Sequence, residues 1–456
     1  MTPSPPMRID IAHLLRIAIP ISLGSLVQFL VVLTDNFFLS RAGEVALNGA
    51  GNAGLVYLTF SMILAGGSVG VQILVARFQG EGNLGRMADA ARTGRLALTA
   101  TGVLLTALVL GVNAVEGWSL LLERPEVRNV FTPFLGIRGW GFVPYALLMA
   151  VEGDWIGQAK TRPILLIAVV MAGTNMVLDA MWVEGMWGAT ALGANGAAWA
   201  SLTAESLGAV LAWALSRQRV HPAAFQGRTS LSRPMLAQWW KLSSPVMGQF
   251  GLTIATWTSF FFFVERVGMM ELKVSHLTRN AFMLAFVVCS GLGQTTRTVV
   301  STLIGEGRQR DLPKAIGRLV LLSYAGVWAL THGYIAYPQW IAGHFFEATD
   351  VEGIQAMSAT LGTAFVALQG YALSSILISI LQGAGFTRRV FAIELSTVTL
   401  YMVAAYFLAI HWPQPIAVIW RADWVYFGGM LLGSWWVLQR VDWKRGHASL
   451  QESPSS

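Results

Sequence analysis

The sequence predicts an all-α membrane protein of twelve transmembrane helices arranged as two pseudo-symmetric six-helix bundles. Three observations lead there: too little charge for a water-facing surface, apolar runs of bilayer-spanning length, and an internal repeat. Charged residues make up 12% of the 456-residue chain, against about 25% in soluble domains. Hydrophobic residues reach 54% and the mean hydropathy is +0.56. With so few charges, most of the surface has to face lipid rather than water.

A spanning helix needs about 20 mostly apolar residues. Such runs fall at 14–39, 50–76, 93–114, 131–156, 163–184 and 193–215, then at 243–265, 276–303, 315–336, 356–382, 391–411 and 415–439. The net charge of +7 would suit nucleic acid, but the Lys and Arg residues sit in short clusters between apolar runs, as the positive-inside rule requires. One set of alternate connections holds most of them, including Arg77, Arg86, Lys160, Arg162, Arg217, Arg228, Arg233, Arg308, Arg310, Lys314, Arg388 and Arg389. The opposite loops carry Glu116, Glu123, Glu126, Glu347, Asp350 and Glu352. Both termini are therefore expected in the cytoplasm, with the chain multi-pass in the cell inner membrane. The segment Met1 to Asp10 is short and polar, so the first apolar run reads as a retained span rather than a cleaved signal. Cys289 is the one cysteine, which excludes an internal disulfide and a cysteine-built metal site.

Shifting the chain by 225 residues places Pro20 on Pro245, Arg41 on Arg266, Gly43 on Gly268 and Gly80-Glu81-Gly82 on Gly305-Glu306-Gly307. A shift of 226 places Gly157, Thr161 and Arg162 on Gly383, Thr387 and Arg388. Six spans per half preserve orientation, so the repeats are parallel, related by an axis along the membrane normal. The expected domains are an N-terminal lobe at 1–216, a basic cytoplasmic linker at 217–241, a C-terminal lobe at 242–440 and a cytoplasmic tail at 441–456. Two such bundles suit alternating access about a central site; a scaffold duplicated without that function is the competing reading.

Ionisable groups inside a span are costly and usually face a cavity or a partner. The first span carries Asp35, and the fifth carries Asn175 and Asp179, whose spacing of four puts them on one helix face. Asp179 lies sixteen residues after Pro163, roughly 24 Å along a straight helix. Asp35 lies far along a span that starts on the same side, so the two carboxylates can share one layer. An amide oxygen and two carboxylates can hold a proton or a sodium ion. The alternative is that each acid caps locally near the headgroups. Ser201 and Glu205, four apart on the sixth span, extend the cluster. In the second half Asp35 overlays Phe260 and Asp179 overlays Ala405, while Glu265 and Glu394 fall near expected helix ends. Ion coupling is therefore expected in the N-terminal half. Pro20 is placed to kink the first helix, as a moving hinge or a static bend. Glu152 and Asp154, near the inner end of the fourth span, are expected to pair with Lys160 and Arg162; gating is the other reading.

These residues also carry a resemblance. From Leu14 to Arg440 the chain resembles the multidrug and toxic compound extrusion (MATE) transporters, above all the branch named after DNA-damage-inducible protein F. The carriers are Ile17-Ala18-Ile19-Pro20, the context of Asp35, the Gly80-Glu81-Gly82 turn, Asn175 through Asp179, and Gly196-Ala197-Ala198-Trp199-Ala200-Ser201. The resemblance implies two six-helix lobes around a cavity that opens alternately to each side. It also implies proton or sodium binding at Asp35, Asn175, Asp179 and Ser201, where the family usually has threonine, and bending of the first helix at Pro20. Some relatives carry an acid in the tenth span near Ile378, which this chain lacks. Glu152 and Asp154 depart from the family pattern.

The function expected is export of small organic, cationic or amphipathic compounds in exchange for H+ or Na+. The partners are then small-molecule substrates and the lipid bilayer, with no nucleic acid and no cofactor beyond the coupling ion, in a monomer. A lipid-linked oligosaccharide flippase of the same superfamily is the alternative, for which Arg138 and Arg297 are the interior cations. A membrane-embedded enzyme is a remote one, since the seven histidines show no metal-ligand spacing and no nucleophile elbow or Walker loop occurs. Phe260 to Phe263 and Trp257 offer aromatic surface for flat cations, though lipid and helix packing use the same residues. A topology reporter fused after Arg445 is expected to score cytoplasmic; a periplasmic signal would refute the even span count.

Overall fold

The computed structural model describes residues 6–120, 124–219 and 232–441, and among these the chain is helices and turns without a β-strand. The first half contains α1 (Ile11–Arg41), α2 (Glu44–Gly80), α3 (Leu84–Ala114), α4 (Pro125–Arg138), α5 (Phe142–Gly157), α6 (Arg162–Trp182) and α7 (Ala194–Arg219). The second contains α8 (Arg233–Val267), α9 (Met269–Gly305), α10 (Leu312–Thr331), α11 (Val351–Gly383), α12 (Thr387–Tyr406) and α13 (Ala422–Gln439). A 3-10 turn, Gly139–Gly141, joins α4 to α5 so that the two form one span, Pro125–Gly157. Eleven spans among the described residues are long and apolar enough to cross a bilayer, and α13 is the twelfth helix of the predicted set.

The helices overrun the apolar runs that announce them. At 37 residues α2 is roughly 55 Å long, well beyond the ~30 Å hydrocarbon core. Its extra turns begin at Glu44, after Gly43 with φ 115°. Asp10 precedes α1 and its carboxylate accepts from the His13 N–H at 3.0 Å, which holds that carboxyl below its ordinary range. Pro20 lies inside α1, which continues through it as one helix.

Among the described residues the chain divides into two compact units: Ile19–Met247, and the N-terminal segment from residue 6 to Ala18 together with Gly248 onward. This differs from the expected lobes in two stretches, and side-chain bonds explain both. Trp239 Nε1 and Ser243 Oγ of α8 each donate to the Gly67 carbonyl of α2 at 3.1 Å, which ties the start of α8 to the first unit. The N–H of Met7 donates to Glu306 Oε1 at 2.7 Å, and Arg308 and Arg318 donate to the carbonyls of Met7 and Ile9, which ties the N-terminal segment to the second. Of the expected linker, Arg233 to Lys241 are helical and 220–231 lie outside the described residues, as does the tail beyond Val441.

Within each unit the repeat is visible as geometry. In the first, α5 packs on α2, and a Cβ at Gly157 would stand 2.8 Å from the Gln72 carbonyl. In the second, α11 packs on α9, and a Cβ at Gly383, the repeat partner of Gly157, would stand 2.8 Å from the Arg297 carbonyl. Small residues let membrane helices approach this closely. The turns after α2 and α9 also match: Asn83 N–H returns to Phe78 O at 2.9 Å and Arg308 N–H to Leu303 O at 2.8 Å, around Gly82 (φ 69°) and Gly307 (φ 70°).

At the turn after α5 the match is imperfect. Ala159 adopts φ 57°, where its repeat partner Gly385 has φ 94°. A left-handed conformation costs an L-residue about 1–2 kcal/mol, a penalty glycine escapes. Ala159→Gly is therefore expected to stabilise the first unit by about 1 kcal/mol. The check is the thermal melting of detergent-solubilised protein, in which an unchanged or lower midpoint would contradict the strain at this turn.

Candidate functional site

The polar residues of the first unit converge because α7 is pinned against the end of α6. Leu192 N–H donates to Trp182 O at 2.7 Å, and a Cβ on Gly196 would lie 2.3 Å from that carbonyl, so only glycine admits this approach. Ala197, Ala198 and Ala200 follow, all buried, and bring the next turn of α7 to the level of Asp179. The small residues Gly196, Ala197, Ala198 and Ala200, with Trp199 turned outward, thus set the register between α6 and α7.

Asp35, Asn175, Asp179 and Ser201 come together as the sequence predicts. Asn175 Nδ2 donates to Asp179 Oδ2 at 3.2 Å, and Ser201 Oγ donates to Asp35 Oδ2 at 3.4 Å. The Asp35 carboxyl is within hydrogen-bonding reach of Asp179 and Asn175 as well. Asn175 and Asp179 are fully buried, and Asp35 is half-buried. Three oxygens at this spot are buried without a hydrogen-bond partner: Asp35 Oδ1, Asn175 Oδ1 and Asp179 Oδ1. A buried oxygen left unmatched is costly, and a proton or cation placed here would relieve that cost. The donor set is all hard oxygen, which fits a proton or an alkali cation and gives no preference for a softer metal.

Beyond this layer, toward the C-terminal ends of α1 and α6, an open cavity of about 400 Å³ is lined by Arg41, Ala42, Val183, Glu184 and Met186. Arg41 and Glu184 form an ion pair at 3.0 Å on its wall. Glu184 follows Asp179 by five residues and Arg41 follows Asp35 by six, so this cavity lies between one and two turns from the carboxylates.

Glu205, one turn beyond Ser201 on α7, is held by partners the sequence did not indicate. Arg138 grips it with two bonds, at 3.0 and 2.8 Å, and the Tyr57 hydroxyl donates to it at 2.6 Å. The Arg138 guanidinium lies 3.7 Å from the Tyr57 ring centroid. The signal available in the sequence was two opposite charges in separate spans of one lobe, each needing a partner.

Glu152 and Asp154 differ from expectation. Asp154 is fully buried and accepts from Gln158 Nε2 at 2.8 Å, and Lys160 donates to that glutamine at 2.9 Å. Arg95 from α3, rather than Arg162, is the leading cation acting on Asp154. Glu152 is half-buried, and Tyr145 is the group that shares its electrostatic environment.

Glu394 corrects a second expectation. It lies not near a helix end but fully buried inside α12, accepting from Gln249 at 3.2 Å, Thr253 at 3.0 Å and Tyr426 at 2.5 Å. Gln382 in turn donates to Gln249, and Arg297 donates to Gln382, both at 3.0 Å. Asp423 of α13, also buried, bonds Tyr401. The second unit thus holds buried acids, at positions unrelated by the repeat to Asp35 and Asp179. At those related positions stand Phe260 and Ala405, and Phe260 packs against Tyr401, the counterpart of Asn175, with ring centroids 6.0 Å apart.

Known proteins are similar to this chain over most of its length. The family model MatE matches twice, over residues 20–181 and 245–407, starting 225 and ending 226 residues apart, as the internal repeat requires. A probable multidrug resistance protein NorM from a Synechocystis species is 23% identical over 449 residues, 95% of each chain. Another, from Pseudomonas putida, is 26% identical over 352 residues, 75% of this chain and 74% of its own. The fold is similar to that of a multidrug resistance MATE family transporter of the MOP superfamily solved in its outward-facing conformation, with a TM-score of 0.85, 18% identity, and 97% and 96% of the two chains covered.

Gly196→Ala is expected to push α7 off the end of α6 and to destabilise the first unit by roughly 1–3 kcal/mol, the usual cost of overpacking. Thermal melting in detergent checks this; wild-type stability would mean that the contact with Trp182 does not set the register of α7.

Proposed function

The chain belongs to the MatE family, and we propose that it is a secondary transporter exporting small organic, cationic or amphipathic compounds in exchange for H+ or Na+. The observation that carries this reading is the set of three unmatched buried oxygens on Asp35, Asn175 and Asp179. An inward-moving proton or sodium ion would occupy them, with Ser201 completing the ring. The cavity bordered by Arg41 and Glu184 would admit that ion from the outer face, with both termini in the cytoplasm and the chain in the inner membrane. Two parallel repeats favour alternating access, in which outward- and inward-open forms interconvert. Pro20 is placed to take part, because its ring removes the bond that residue 20 would donate to the Arg16 carbonyl, and the chain passes from one unit to the other at Ala18 and Ile19.

A lipid pyrophosphate flippase would need cations free to meet phosphate. The two interior arginines considered for that role are already engaged, Arg138 by Glu205 and Arg297 by Gln382. This weighs against the flippase reading.

The test is efflux of ethidium and norfloxacin from pump-deleted bacteria, with proton and sodium gradients collapsed separately. Wild-type protein should lower accumulation of both dyes and drugs, and collapse of one gradient should abolish the effect and name the ion. Asp35→Asn and Asp179→Asn should each remove coupled efflux while the protein is made at normal levels. Normal efflux from either variant would sink the assignment of the coupling site.

A further inference from the structure

We propose that Glu205 is a third proton-carrying carboxylate of the first unit, which takes the proton given up by the Asp35–Asp179 pair while Arg138 serves as its movable counter-ion. This rests on the reading of that pair as the coupling site, and it commits the coupling ion to be a proton.

The geometry points to a working element rather than a brace. The Arg138 and Glu205 side chains are 9% and 13% exposed, inside an apolar helical bundle. Burying such a pair brings a desolvation penalty that apolar residues of similar volume avoid. The second repeat shows that this position can be built without charge. At a shift of 226 residues Arg138 corresponds to Ala364 and Glu205 to Leu431, and at 225 Tyr57 corresponds to Phe282. Ala364 and Phe282 are packed into the apolar core of the second unit. The backbone of the first unit is also shaped around the pair. Gly141, in the 3-10 turn between α4 and α5, leaves room where a Cβ would stand 2.7 Å from the Tyr57 hydroxyl and 2.8 Å from Glu205 Oε2.

The pair adjoins the coupling site. Ser201, bonded to Asp35, precedes Glu205 by four residues, about 6 Å of rise along α7. The Arg138 charge acts on both Glu205 and Asp35, so two carboxylates share one guanidinium. The titratable groups facing Glu205 are Tyr57 from α2, Arg138 from α4 and Tyr145 from α5.

The transfer balances. In one state the aspartate pair holds a proton and Glu205 is ionised against Arg138. In the other, the O–H bond on the aspartate pair has broken, one has formed on Glu205, and Arg138 has turned toward the doubly ionised pair. Three carboxylates, one proton and one guanidinium carry the same net charge in both states, so the step moves no uncompensated charge through a medium of low dielectric. Tyr145, which interacts with Glu205 and Glu152, points to Glu152, two turns further along α5, as the next acceptor.

The experiment uses the full chain in liposomes and compares wild type, Asp35→Asn and the charge-free double variant Arg138→Met/Glu205→Leu. Ethidium is the probe, bound at equilibrium and moved by an imposed proton gradient. The double variant should bind ethidium within threefold of wild type yet lose at least tenfold in gradient-driven transport. Wild-type transport by it would overturn the proposal and leave the pair a structural brace. If Asp35→Asn also transports normally, it is the coupling site itself that fails, which separates the two readings. Should the double variant not fold, Glu205→Gln is examined by infrared difference spectroscopy on ethidium addition. Loss of one protonated-carboxyl band relative to wild type supports the relay; an unchanged set of bands overturns it.

Discussion

The constraint on which this structure turns is the cost of a carboxylate inside a bundle that lipid surrounds. Water cannot solvate such a group, so the protein must supply donors, a cation or a proton, or leave room for one. The first unit leaves room. Asp35, Asn175 and Asp179 each keep a buried oxygen without a partner, and Ser201 supplies one weak donor at 3.4 Å. The second unit supplies donors. Glu394 receives three, from Gln249, Thr253 and Tyr426, and the amides of Gln249 and Gln382 carry the chain of hydrogen bonds back to Arg297.

That contrast distinguishes two copies of one fold. The backbone devices are shared: the glycine turns at Gly82 and Gly307 and the close approaches at Gly157 and Gly383 recur at matching positions. What differs is the filling. Where the first unit has Asp35, Tyr57 and Asn175, the second has Phe260, Phe282 and Tyr401, which belong to one aromatic core with Trp420 and Phe427. Aromatic packing of this kind rewards a single arrangement. A polar layer with unmatched oxygens rewards occupancy by an ion.

Much of this was legible in the residues because the bilayer simplifies the code. Apolar runs announce helices, and an acid within one stands out, so the span count and the set Asp35, Asn175, Asp179 and Ser201 could be read without coordinates. Helix ends could not, since the first turns of α2 and α8 carry polar residues such as Glu44, Asn48, Arg233 and Gln238 and lack a continuous apolar signal. Long-range pairing was also hidden. Arg138 and Glu205 are 67 residues apart, and their pairing depends on the 3-10 turn at Gly139–Gly141 that aims α4. Glu394 was misplaced for a related reason: seven residues into α12 it looks close to a helix end, but the flanking helices α8 and α13 cover it. Nothing in the local sequence marks the start of α8 as belonging with α2, because that assignment rests on two donors meeting a single carbonyl, at Gly67.

Sequence asymmetry between repeats is therefore a better guide to chemistry here than the count of charged residues. An acid count alone would have ranked Glu394 and Asp423 beside Asp35 and Asp179, since all four lie inside helices of the bundle. Hydrogen-bond saturation separates Glu394 from Asp35 and Asp179. A carboxylate already receiving three donors gains little from a further cation, because its lone pairs are matched and an added charge would have to displace them. A carboxylate with a buried, unmatched oxygen gains the full strength of the new interaction in a medium of low dielectric. On that argument the oxygens of Asp35, Asn175 and Asp179 have more to gain from an added proton or cation than those of Glu394.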